Sequence, residues 1–159
     1  MTSPNQLTPE LEQIANAIQR AISEHQTQAD YNGVTDIELD QAYSEALSYY
    51  QQQDMNAALV AFTYLIMNNP WRRHYIVGFA SSLHALEQYE NALTFYGYAA
   101  LMDACDAGIT FRIAQCFFAI NRQTEAIEAL KTSIDQSFIE PVQPEIRALA
   151  QNLLQEIIS

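Results

Sequence analysis

Apolar side chains in this chain recur at helical spacing, and the helical stretches themselves recur every 34 residues. Ala46, Ala80 and Ala114 are each 34 apart, and so are Ala58, Ala92 and Ala126. The same step links Tyr49, Leu83 and Phe117, then Phe62, Tyr96 and Leu130, then Leu59, Leu93 and Ile127, then Ile66, Ala100 and Ile134. Six columns that keep residue class over three copies mark an internal repeat, which decides the fold before any local propensity does. Within each copy the pattern predicts two helices: first helices near 36–52, 71–86 and 107–120, and second helices near 55–68, 89–103 and 123–136. Short polar turns separate them at Gln53-Asp54, Glu87-Gln88 and Asn121-Arg122. Small residues at the alanine columns let two antiparallel helices approach, and the bulky column fills the gap to the next hairpin.

The period and the columns resemble the tetratricopeptide repeat, with copies at 39–72, 73–106 and 107–140. Pro70 stands at the family's closing proline position, which Ala104 and Phe138 occupy in the later copies. The expected fold is all-α: three helix hairpins, stacked as the resemblance implies in a right-handed superhelix. Hairpins of this kind cannot bury their apolar faces alone, so the ends need covers. Residues 1–35 supply an N-terminal helix near 8–28, with Leu11, Ile14, Ile18, Ala21 and Ile22 on one face, then a break at 29–35. Residues 141–159 supply a C-terminal capping helix after Pro141 and Pro144. The first helix reads equally as an end cap or as a dimer contact through Leu11, Ile14, Ile18 and Ile22.

Composition narrows the function. The chain has 159 residues, four Gly, five Pro and a formal net charge of −12. A chain this long buries roughly 68–70% of its unfolded surface, so one domain with a real core is expected. The first 54 residues hold nine acids and one base, Arg20. Seven Lys and Arg without a basic stripe make nucleic acid and anionic membrane poor partners. No window is long and apolar enough to insert in a membrane, and the polar start MTSPNQLTPELEQ lacks a signal-peptide pattern. Two cysteines, Cys105 and Cys116, eleven apart, fit a reducing compartment, so the cytoplasm is expected. Neither phosphate loops nor catalytic or zinc motifs occur, His74 and His84 lack companion ligands, and Cys116 reads as a buried structural thiol. No enzyme activity, cofactor or metal is expected.

First helices line the inner side of a stacked array, where positions recur at i, i+3, i+7 and i+10. These are Asp40, Tyr43, Leu47 and Tyr50; His74, Val77, Ser81 and His84; and Gly108, Phe111, Gln115 and Phe118. Apart from Asp40, the lining has aromatic, aliphatic and uncharged polar groups, and it has no Lys or Arg. Clamping a terminal carboxylate would need several inner cations, whereas this lining suits a peptide with apolar anchors.

The stretches AYSEALSYYQQQDMNAALVAF, YIVGFASSLHALEQYENALTFYGYAALMD and FRIAQCFFAINRQTEAIEAL carry a closer resemblance. With their flanking helices they are similar to the class II chaperones of bacterial type III secretion, over about residues 36–140. Resemblance to that family implies a cytoplasmic protein of a Gram-negative bacterium, a homodimer when free. It would hold the N-terminal segment of a hydrophobic translocator in its groove, soluble and ready for export, without ATP. Tyr43, Leu47, Tyr50, Val77, His84 and Phe111 stand at the family's groove positions. Two other uses of the scaffold are a chaperone of a secreted effector and a general protein–protein interaction scaffold.

Overall fold

In the computed structural model, which describes residues 8–24 and 27–159, the helices form where the 34-residue step puts them. Among the described residues there are nine helices and no strand: α1 (Pro9–Glu24), α2 (Gln28–Asn32), α3 (Asp36–Gln51), α4 (Met55–Asn68), α5 (Arg73–Ala85), α6 (Tyr89–Met102), α7 (Ala107–Ala119), α8 (Gln123–Gln136) and α9 (Pro144–Ile158). The six repeat helices begin and end within two residues of the predicted bounds. Two compact units divide the chain inside α6, between Asn91 and Ala92.

The turns explain why the register holds. Gln53, Glu87 and Asn121 all lie in the left-handed region, with φ of 61°, 61° and 62°, and they too are 34 apart. Each turn closes with the same reach across five positions. The amide of Asp54 donates to the Tyr49 carbonyl (3.0 Å), Gln88 to Leu83 (2.9 Å) and Arg122 to Phe117 (2.9 Å), the Schellman closure of a helix end. A side chain at positive φ costs about 1–2 kcal/mol, which glycine avoids at some cost in chain entropy. We therefore expect Glu87→Gly to raise stability by about 0.5–1 kcal/mol, net of that entropy. Urea denaturation checks this, and a lower midpoint would contradict it.

Side-chain caps start several helices. Asp54 Oδ1 accepts from the Ala57 amide (3.2 Å) and Asp106 Oδ1 from the Ile109 amide (3.2 Å). A capping box between Thr35 and Glu38 opens α3. The stretch 29–35, expected to be a break, is helical over its first part. Thr27 and Asp30 form a second capping box, which folds residues 28–32 into the short helix α2 before Gly33 ends it at φ 69°.

In the first unit α4 is the central element, packed by α1, α2, α3 and α5. Ala46, Ala58 and Phe62 are fully buried, as are Leu65, Ile66, Tyr75, Ile76 and Ala80. Burying a side chain of Phe or Leu size contributes about 1.5–3 kcal/mol. Leu11, Ile14 and Ile18 are buried too, because α1 lies on α4. Those three face the chain's own core, and Ile22, 52% exposed, is the member of that set left open. Where α1 crosses α4 a cleft of about 480 Å³ remains, lined by Leu11, Ile14, Leu59, Val60, Phe79 and Leu83 among others.

In the second unit Ala92, Tyr96, Ala114, Ala126 and Leu130 are fully buried, so the alanine columns and the bulky column are core in every copy. Helix α9 packs on both α7 and α8. Its Ala150 joins Phe111, Ala114 and Leu130 in one cluster, ringed by Ile146, Leu153, Leu154 and Ile157. Arg147 anchors the approach to α9: it donates to Ser137 Oγ (2.9 Å) and to the Ser137 carbonyl (3.1 Å), and stacks 3.5 Å from the Phe138 ring centroid. Cys116 is fully buried, and that burial pushes its thiol up to about 12, which makes it inert as a nucleophile at neutral pH.

Candidate binding face

The face predicted on α3 and α5 comes together around a knot of rings. Tyr43 meets His74 edge-on at 4.7 Å between centroids, lies 5.6 Å from Tyr75, and packs edge-on 6.1 Å from the buried Phe62. Such pairs favour edge-to-face geometry because the ring edge is positive and the face negative. His74 is exposed, while Tyr43, Leu47, Tyr50, Val77 and His84 are half-buried. At the other end of α5, His84 meets Tyr89 at 5.7 Å. The two histidines therefore serve separate ring contacts.

Electrostatics on this face centre on Arg72, just before α5. Its Nη2 donates to Asp36 Oδ1 (2.6 Å) and its Nη1 to Asp40 Oδ1 (3.1 Å). Partial desolvation of its ring beside Tyr43 and Tyr75 holds the His74 imidazole below its ordinary range, the Arg72 cation adds to this, and Asp40 opposes it. At neutral pH the ring is thus neutral and able to accept a hydrogen bond. Burial raises the Tyr43 phenol above its usual range. It does the same to Tyr75, whose buried hydroxyl has no hydrogen-bond partner of good geometry.

Several sequence-predicted positions fall elsewhere. Ser81 is 7% exposed and offers little surface. Phe111, expected to be a lining residue, is 8% exposed under α9. Gly108 is half-buried, and a Cβ there would meet Asp106 Oδ1 at 3.2 Å, with Gln143 Oε1 and Ile146 Cδ1 at 3.9 Å. The lining prediction is corrected for Phe111, which the capping helix covers, and for Ser81, which is buried within α5. Gln115 and Phe118, further along α7, are half-buried. The sequence pattern did not single out Arg72, which meets Asp36 and Asp40 from 36 and 32 positions further along the chain.

The described residues form helix hairpins in each unit, and in the first unit α3 and α5 bring rings together beside a paired cation, Arg72. No family model matches the chain. Among curated proteins it is 26% identical over 145 residues to the chaperone protein SicA of Salmonella typhimurium, covering 77% of this chain and 88% of that one. Among solved structures, PcrH in complex with the chaperone-binding region of PopD superposes with a TM-score of 0.75 at 25% identity, covering 79% of this chain and 95% of the other. The Yersinia enterocolitica type III secretion translocator chaperone SycD matches with a TM-score of 0.76 at 24% identity, covering 82% and 98%. The chain is thus similar in sequence to a chaperone, SicA, and has the fold of the type III secretion translocator chaperone SycD and of PcrH.

Proposed function

We propose that this chain is a type III secretion chaperone that holds an N-terminal, apolar segment of a translocator on the α3–α5 face and keeps it soluble until export. The observation that carries the reading is the face itself. Tyr43, Leu47, Tyr50, His74, Val77 and His84 present ring and aliphatic surface, and the cation beside them, Arg72, is already paired with Asp36 and Asp40. The relationship to PcrH, seen with the chaperone-binding region of PopD, supports it. Gln115 and Phe118 offer further surface on the second unit.

The mechanism is binding without catalysis. Rigid tyrosines give large contact area at small entropy cost, and a well-seated aromatic anchor contributes about 1–3 kcal/mol. A few such anchors cover client segments that would otherwise aggregate or insert in the wrong membrane. The net charge of −12 keeps the complex soluble. We place the protein in the cytoplasm of a Gram-negative bacterium, where the free chain pairs with a second copy; of Leu11, Ile14, Ile18 and Ile22, Ile22 alone is left open for that contact. Light scattering at twice 18.0 kDa supports that pairing, and a monomer mass removes it.

Titrating the chain with the N-terminal fragment of the translocator from its own secretion system tests the reading. We expect a stoichiometric complex with wild type and about tenfold weaker binding for Tyr50→Ala, equal to about 1.4 kcal/mol. The melting temperature should barely move, since Tyr50 is half-buried. A wild-type chain that does not bind the fragment overturns the proposal.

A further inference from the structure

We propose that Arg72 is the positioning residue of the client face: its guanidinium clasps the first turns of α3 to the start of α5 and so sets the approach of Tyr43 to His74. This rests on the reading of that face as a client seat. Asp36 and Asp40 are four residues apart, hence neighbours on one side of α3, and Arg72 spans both from 36 and 32 positions further along the chain. The guanidinium carbon lies 5.9 Å from the Tyr75 ring centroid. Its side chain is 26% exposed, against 78% and 68% for the two acids, so the cation is sheltered while the acids close over it. Just beneath, Tyr43 of α3 meets His74 and Tyr75 of α5.

Exposed ion pairs add little stability, because both partners exchange readily with water. The effect of this one is geometric. A planar fork that reaches two carboxylates at once fixes direction as well as distance, which an ammonium cannot do. Removing it leaves α4 and its core in place but frees α3 and α5 to part where they carry the rings.

Full-length Arg72→Lys, Arg72→Ala and the double variant Asp36→Asn/Asp40→Asn test this together with wild type. The last keeps the Arg72 side chain and guards against a packing defect. Two readouts are needed: the His74 imidazole C–H signals by NMR, shifted by the Tyr43 ring, and affinity for the translocator fragment titrated above. We expect the His74 signals to move toward free histidine in all three variants. In Arg72→Ala the imidazole should also titrate at higher pH, because the Arg72 cation lowers it in wild type. Affinity should fall about tenfold, with an unchanged melting temperature and no rescue by lysine. Unmoved His74 signals overturn the proposal, and so does wild-type affinity in variants whose signals have moved. A wild-type chain that does not bind the fragment fails the client reading itself and takes this proposal with it; intact binding with silent variants fails the clasp alone.

Discussion

Replacing Phe111 by glutamate is expected to unfold the helices from α7 to α9. The ring is 8% exposed and sits among Ala114, Leu130 and Ala150, with Ile146, Leu153, Leu154 and Ile157 around it. Deleting a buried Phe side chain costs about 3–5 kcal/mol, and a carboxylate in the same space must be dehydrated or protonated as well. Whole domains are stable by about 5–15 kcal/mol, so the change consumes most of what holds the second unit. Phe118→Glu on the same helix is the control: Phe118 is half-buried, and the loss there should stay within about 1 kcal/mol. Amide hydrogen exchange across 107–158 distinguishes the two. Retained protection in Phe111→Glu would mean that α9 does not cover α7 as described.

The second large effect is expected at Gly78. A Cβ there would overlap Cε1 and Cζ of the Phe62 ring, which is fully buried. Phe62 cannot yield freely, since Tyr43 packs against it edge-on. Overpacking of this kind costs about 1–3 kcal/mol, and Gly78→Val should lie at the upper end, near 3 kcal/mol. In Gly78→Ala the better helix propensity of alanine returns about 1 kcal/mol, so its loss is smaller. Because the displaced ring pushes on Tyr43, both variants should also weaken client binding. Urea denaturation of the pair checks the order, and a valine variant as stable as wild type would contradict the close approach of α4 and α5.

These two sites mark where the amino-acid pattern is transparent and where it is not. Helix bounds and turns were legible because one step of 34 residues governs Ala46, Ala58 and Phe62 and their counterparts, and because each turn repeats the same backbone closure at Gln53, Glu87 and Asn121. Helix α2 was hidden: five residues carry no apolar period, and its start depends on the Thr27–Asp30 box. The capping helix at 141–159 was legible, but not that it would cover Phe111, because an apolar stripe says that a helix must be covered and not by which neighbour. A register clue did exist, since Ala150 follows Ala114 by 36 residues and takes the same fully buried role, two residues off the repeat after the Pro141–Pro144 stretch. The α1 stripe posed the same ambiguity, and Leu11, Ile14 and Ile18 turn inward on α4. Of the candidate face, the half-buried members of α3 and α5 could be read from position in the repeat. The Arg72 clasp could not, because it joins residues on different helices that no single-helix period relates.

Co-production of this chain with the translocator of its own secretion system, with the soluble fraction of the client as the measurement, asks whether the client depends on it. We predict that the client is soluble and co-purifies with the chain, that it aggregates or is degraded without it, and that Tyr43→Ala together with Tyr50→Ala removes most of the rescue while leaving the chain folded. A client equally soluble and stable in the absence of the chain would contradict the account.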